Sequence, residues 1–301
     1  MALWQANTVA ARIVERGGPP CRILIIKTTG DRLQDVSLSE HGGKGLFVKE
    51  LEDALLVGTI DLAVHSGKDM SVVLPEGLTI AAALPREDPR DAVVLPASTP
   101  PAAGRTLADL VGLDRVGTSS VRRVAQLRQV WPAARFEPIR GNLETRLRKL
   151  DDGECSALVL ASAGLRRLGF GHRIGLTLPA DICVPAPGQG TIAVEVRATD
   201  LAVLRAAERA NDDAAAATLM AERALVAAVG GGCQMPLGAL ATVVDAGMLE
   251  LDAVIASRDG RRMVRAGSRG TVEEARALGA SVAGQLLAKG AGEILAAERA
   301  R

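Results

Sequence analysis

Apolar residues in this chain come in short runs, and helix-spaced segments separate those runs. Ile23–Ile26, Ile60–Val64, Thr79–Leu84 and Ala92–Leu95 each have the length of a buried strand. Ala2–Glu15 and Phe47–Leu56 carry apolar residues at helical spacing, the latter with Phe47, Leu51, Ala54 and Leu55 on one side. The alternation resumes after the loop Ser98–Gly104, with strands ending at Val116 and covering Arg135–Ile139 and Ala157–Ala161. Between them lie helices over Val121–Val130, capped by Thr118-Ser119-Ser120, and Leu143–Leu150, capped by Asn142 and stopped by Gly153. Another helix begins at Gly164–Leu168. Such alternation predicts an α/β fold with open, mixed, mainly parallel sheets.

Pro185–Gly190 is a second linker-like stretch, followed by a strand at Thr191–Val196 and two helical stretches to Val229. Beyond Gly230–Gly232, strands at Leu237–Val244, Leu249–Ile255 and Arg262–Ser268 precede a helical stretch, Val272–Ala297, broken near Gly290. This last part reads as a small α+β domain. A chain of 301 residues exceeds what one core sustains, which is about 250–300 residues, so two or three domains are expected.

Composition narrows the function. No apolar run reaches the ~18 residues that span a bilayer, so no membrane partner is expected. Met1–Asn7 lacks the basic and apolar regions of a secretory signal. Cys21, Cys155, Cys183 and Cys233 form neither a disulfide framework nor a metal-ligand spacing, which favours a reducing, cytoplasmic setting. Aromatic residues are 2% of the chain, too few for base-stacking platforms, so no nucleic-acid partner is expected. Three histidines leave little for a metal site.

The net charge of +1 conceals an asymmetry. Between Arg115 and Arg173 there are 12 Lys and Arg against 5 Asp and Glu, a basic module that calls for an anion. Arg122 and Arg123 fall in the first turn of a helix, the wrong sign for its dipole unless an anion docks there. A solvated helix face is the competing reading. His65-Ser66-Gly67-Lys68-Asp69 follows a buried strand, where open sheets gather ligands, and offers an acid/base pair or, more plainly, a surface ion pair. Gly42-Gly43-Lys44-Gly45 lacks the spacing of a nucleotide-binding loop. Cys233, after three glycines, is either an accessible nucleophile or anchor, or a structural thiol.

Six stretches stand in order: Gly42–Glu50 (GGKGLFVKE), His65–Asp69 (HSGKD), Arg86–Ala92 (REDPRDA), Gly117–Arg123 (GTSSVRR), Arg140–Arg146 (RGNLETR) and Gly231–Gly238 (GGCQMPLG). Together they closely resemble the porphobilinogen deaminase, or hydroxymethylbilane synthase, family over essentially the whole chain. The resemblance implies two lobes like the halves of a type II periplasmic-binding-protein fold, residues 1–88 with 189–209 and residues 92–184, and a third domain, 213–301, carrying the cysteine loop. It implies a cytoplasmic, monomeric transferase. Its dipyrromethane cofactor is joined to Cys233 by a thioether, and it condenses four porphobilinogens head to tail with release of ammonia. By the same resemblance Asp69 is the catalytic carboxylate. Lys44, Ser66, Lys68, Thr118, Ser119, Arg122, Arg123, Arg140 and Gly141 hold the cofactor, and Arg140, Arg146 and Arg167 hold substrate carboxylates. No metal is implied. The rivals are a non-catalytic two-lobed small-anion binder, which gives Cys233 no role, and a cysteine-nucleophile acyltransferase.

Two departures generate expectations. The family has a strand ending in Arg-x-Ser just before Leu-Trp-Gln, whereas here Met1-Ala2 precede Leu3-Trp4-Gln5. The first lobe is therefore expected to lack a strand, and this chain to be less stable and poorly loaded with cofactor, an impaired member of the family. Gly67 stands where the family has Met, and is expected to loosen the turn at Lys68 and Asp69.

Overall fold

A computed structural model describes residues 1–26, 48–100, 104–231, 235–245 and 247–300. Helix α1 (Ala2–Glu15) forms as the periodicity predicts, burying Gln5, Val9 and Ile13, four residues apart, on one face. Helix α2 is Lys49–Leu56, and Phe47 lies outside the described residues.

Ile23–Ile26 departs from expectation. It belongs to no strand, and Leu24 and Ile25 are 54% and 73% exposed. An apolar run becomes a strand only when a neighbour accepts its ladder hydrogen bonds. Among the described residues none does.

The first lobe's sheet holds β1 (Leu62–Ser66), β2 (Leu78–Ala83) and β8 (Ile192–Arg197). Strand β8 lies in the middle, antiparallel to both neighbours, so among the described residues β1 and β2 are the outer strands. Val9 and Ile13 of α1 pack on Ala82, Ile192, Val194 and Val196.

The second lobe has five strands in the order β5-β4-β6-β3-β7: β3 (Asp91–Val94), β4 (Arg115–Gly117), β5 (Arg135–Glu137), β6 (Ala157–Ala161) and β7 (Ile174–Thr177). Strands β3 and β6 are apolar at every central position because both faces are covered. Ala92, Val94, Leu158 and Leu160 face one core, Val93, Ala157 and Val159 the other. Helices α3 (Val121–Leu127), α4 (Leu143–Asp151) and α5 (Ser162–Arg167) supply the cover. Helix α3 ends at Leu127, short of the predicted Val130, and the chain continues as a turn to Val130. Asn142 caps α4, its Oδ1 accepting from Thr145 N–H at 2.8 Å.

The mixed α/β class holds, but parallel pairing does not predominate among the described residues. Strand β4 runs parallel to β5 and β6, while the other lobe pairs are antiparallel. The cause is topological. The chain enters the second lobe through 84–90 and returns through 178–191, so β3 and β8 run against their neighbours.

Helices α6 (Leu201–Glu208) and α7 (Asp213–Ala228) lead into a three-stranded antiparallel sheet of β9 (Leu237–Asp245), β10 (Met248–Ala256) and β11 (Met263–Thr271). Helices α8 (Ala275–Leu286) and α9 (Gly292–Arg299) follow, separated at Gly290 (φ +92°), where the sequence predicts a break. Leu225, Leu249, Leu251, Val282 and Leu286 form this unit's own core.

Burial decides which apolar positions matter. Ile25→Lys is expected to change stability by no more than about 0.5 kcal/mol, as at an exposed site. Ile13→Ala is expected to cost roughly 2–5 kcal/mol, as in a packed core. Denaturant midpoints of the two variants check this; a large loss in Ile25→Lys contradicts the exposed placement.

Candidate functional site

The crossovers and α7 enclose a cavity of about 300 Å³ where both lobes and the third unit meet. The first lobe contributes the turn Gly67–Asp69 at the carboxyl end of β1. The second contributes Ser119, Ser120, Arg122 and Arg123 from the start of α3, and Arg146 from α4. The third contributes Arg223 and Val226 of α7 with Met235 and Leu237. One wall is therefore cationic and another apolar.

Asp91, the first residue of β3, organises the cationic wall. It is fully buried, and its Oδ2 accepts from Arg122 Nη1 at 2.7 Å. Its Oδ1 accepts from Arg123 Nη2 at 2.7 Å, Arg123 Nε at 3.0 Å and Gln189 Nε2 at 2.9 Å. The second-lobe carbonyls of Val184 and Val159 take one further N–H from Arg122 and Arg123 respectively. Burial alone would raise the Asp91 pKa, but the charges of Arg122 and Arg123 hold it well below the usual carboxylate range. The buried Cys183 thiol touches the same carboxylate at 3.4 Å, and burial pushes its pKa up to about 12, which makes it inert.

The first-turn arginines do meet an anion, as their position calls for. The anion that Arg122 and Arg123 meet is Asp91, within the protein, and they are only 4% and 7% exposed. The fork of Arg123 is taken up by Asp91 and the Val159 carbonyl, Arg122 meets Asp91 and the Val184 carbonyl through Nη1, and both line the cavity. Asp91 lies in the stretch Arg86–Ala92, to which the sequence alone assigns no role. The available signal was a carboxylate opening an otherwise apolar strand, which demands a buried partner.

Arg146 is different. Its Nε donates to Gly141 O at 2.8 Å, and among the described residues it has no carboxylate partner. Burial, then the like charge of Arg123, lowers its pKa. Lys68 is also lowered, chiefly by burial, against the opposing effect of Asp69. The cavity thus holds more positive charge than its own carboxylates neutralise.

The other predicted residues divide. Asp69 lines the cavity beside Lys68, with its side chain exposed there. Ser119 lines it too, but its hydroxyl donates to Ile139 O at 2.7 Å and accepts from Ile139 N–H at 3.1 Å, so it has no proton left for a ligand. Ser120 is the N-cap residue of α3, yet its side chain makes no cap bond; its N–H donates instead to Thr118 Oγ1 at 3.4 Å. Thr118, Ser66, Arg140 and Gly141 are not among the lining residues. Ser66 Oγ accepts from Gln5 Nε2 at 2.8 Å, which anchors the end of β1 to α1. Arg140 is half-buried with no partner among the described residues. Arg167 points elsewhere: its Nη2 donates to Gly190 O at 2.6 Å and its guanidinium lies 5.7 Å from the Trp4 ring centroid. Lys44 and Cys233 lie outside the described residues.

Gly67 also differs from expectation. It is buried, and a Cβ there would come within 2.9 Å of Gly188 O. A Cβ on Gly188 (φ +74°) would come within 2.6 Å of the Gly67 carbonyl carbon. Two backbones meet at a distance that leaves no room for a side chain, so the turn is packed rather than loosened.

Asp91→Asn should keep the shape yet remove the charge facing Arg122 and Arg123, at a cost of roughly 3–5 kcal/mol. The pH dependence has a definite sign. With a folded pKa depressed below the unfolded value, near ~3.9, Asp91 contributes its full stability above that range and loses it as pH falls. The gap between wild type and Asp91→Asn in denaturant unfolding should therefore narrow from pH 5 toward pH 2; a constant gap contradicts the buried pairing.

Comparison with known proteins places this geometry. Residues 1–205 match the family profile "Porphobilinogen deaminase, dipyromethane cofactor binding domain", and residues 216–288 match "Porphobilinogen deaminase, C-terminal domain". The porphobilinogen deaminase of Moorella thermoacetica is 48% identical over 297 residues, covering 98% of this chain and 92% of that relative. Those of Nitrosomonas europaea and Chromobacterium violaceum are 45% and 46% identical, each over 99% of this chain and 94% of the relative. Among solved structures, the periplasmic VFT2 domain of Bordetella pertussis BvgS aligns over 69% of this chain and 76% of its own, at 17% identity and a TM-score of 0.39. With both parts of the chain matched in order, and relatives near half identical along almost all of it, the chain belongs to the porphobilinogen deaminase family.

Proposed function

We propose that this chain condenses four porphobilinogen molecules head to tail into hydroxymethylbilane, with release of ammonia, as a step of tetrapyrrole biosynthesis. The observation that carries the reading is the under-neutralised cationic cavity, with Asp69 and Lys68 at one end and the guanidinium of Arg146, lacking a carboxylate partner, on its wall. Porphobilinogen and its oligomers bear acetate and propionate groups, the anions such a wall selects.

The residues present fit dipyrromethane. Carboxylates would meet Arg146 and Lys68, supported by the edges of Arg122 and Arg123. The pyrrole faces would lie on the apolar side made by Val226, Met235 and Leu237. Val226 precedes Cys233 and Met235 follows it, and both line the cavity, which supports Cys233 as the thioether anchor. When bound, the group supplies the pyrrole α-carbon to which the first substrate is joined. The protein's own residues do the rest. Arg146 and Lys68 bind and orient carboxylates. Asp69 stabilises positive charge at a pyrrole nitrogen and moves a proton there as substrate loses ammonia. Asp91 holds Arg122 and Arg123 in place at the cavity wall.

The division into 1–88 with 189–209, 92–184 and 213–301 belongs to this reading, supported by separate apolar cores. So does a reducing, cytoplasmic setting, which the free thiols at Cys155 and Cys183 support, and so does a monomer. Among the described residues, no helix is long and apolar enough to cross a membrane.

Two variants test the reading. Cys233→Ser should fold but carry no two-pyrrole adduct in its intact mass, because a hydroxyl is far less nucleophilic than a thiol at neutral pH. The same adduct on both proteins removes Cys233 from the account. Asp69→Asn should load cofactor but lose turnover by roughly 10²–10³-fold, the scale of one electrostatic stabiliser. Near-normal turnover in loaded Asp69→Asn assigns the chemistry to another group.

A further inference from the structure

We infer that Arg223, in the middle of α7, is a positioning residue for Asp69: it holds the segment just after the catalytic turn in register with the helix that leads to Cys233. The inference rests on the proposed function and deepens it. Arg223 Nη2 donates to two successive carbonyls, Ser71 O at 2.8 Å and Val72 O at 3.0 Å. Residues 71–77 lie between Asp69 and β2 without helix or strand, so no ladder fixes them.

The same helix grips this turn at two further points. Leu219, one helical turn before Arg223 and on the same face, packs against buried Met70. Glu222, fully buried, accepts from Gly188 N–H at 2.5 Å, and Gly188 packs directly on Gly67. Residues 67 to 72 are thereby held from both ends by one helix, with Asp69 between the two grips. Arg223 also lines the cavity that Asp69 faces. A guanidinium suits this task because its planar fork fixes the direction of the bonds; an ammonium offers charge without that direction.

A misplaced catalytic group loses turnover far more than binding, by up to ~10²-fold for a shift of about 1 Å. The test compares wild type with Arg223→Gln and Arg223→Lys, measuring adduct occupancy by intact mass, kcat per loaded molecule, KM and Tm. Arg223→Gln should lose roughly 10- to 100-fold in kcat, with occupancy and KM within about 2-fold of wild type. Arg223→Lys should recover part of the loss. Wild-type kcat in either loaded variant overturns the inference. So does a raised KM with kcat retained, which would make Arg223 a substrate ligand. Loss of loading in both variants also overturns it, in favour of a structural role. Wild type lacking both adduct and turnover refutes the parent reading instead.

Discussion

The buried carboxylate of Asp91 is the interaction on which the site depends. Removing a carboxylate and two guanidiniums from water is costly, and Coulomb attraction offsets that cost only when geometry is good and remaining lone pairs are satisfied. Both oxygens of Asp91 are used, and the donors come from two places: Arg122 and Arg123 on α3, and Gln189 with the Cys183 thiol on the return crossover. One carboxylate therefore ties the entry of the second lobe to its first cavity-facing helix and to the segment that goes back to the first lobe. It absorbs the charge of two arginines only in part. What remains, with Arg146 and Lys68, makes the cavity attractive to a polycarboxylate.

A second buried carboxylate does the corresponding work for the third unit. Glu222 accepts from Arg86 at 2.7 and 3.2 Å, from Gly188 N–H and from Ala241 N–H. Arg86 lies on the outgoing crossover and Gly188 on the returning one. Helix α7 is thus tied to both connections between the lobes, and Arg223, next to Glu222, reaches the segment just after Gly67–Asp69. Cavity walls from three separately packed units would otherwise be free to drift. The two carboxylates set them in one arrangement while leaving the lobes joined by only two strands of chain.

Much of the fold was legible because periodicity reports burial. Helix α1, strand β6, cap Asn142 and the break at Gly290 follow from local spacing and side-chain chemistry. The failures share one cause, dependence on a distant partner. Ile23–Ile26 has strand composition but no ladder neighbour among the described residues. Strand β7 (Ile174–Thr177) is half-buried at a sheet edge, with no run long enough to announce it. In the site, motif residues Lys68, Asp69, Ser119, Arg122, Arg123 and Arg146 do converge. Their roles inside the cavity were less legible. Spacing cannot show that Asp91 occupies two of the arginines, that Ser119 spends its hydroxyl on Ile139, or that Arg167 turns to Gly190 and Trp4. Arg223 belongs to no motif, and its contacts depend on how α7 packs against the segment after Asp69.

The central claim is that the cationic wall, held open by Asp91, receives the carboxylates of a pyrrole adduct while Asp69 faces its ring nitrogens. A crystal structure of the protein purified with its adduct tests this most directly. The account predicts adduct carboxylates within hydrogen-bond reach of Arg146 and Lys68, Asp69 beside the pyrrole nitrogens, and the Asp91 pairs with Arg122 and Arg123 intact. An adduct lying outside this cavity, or one for which Asp91 surrenders both arginines, would contradict it.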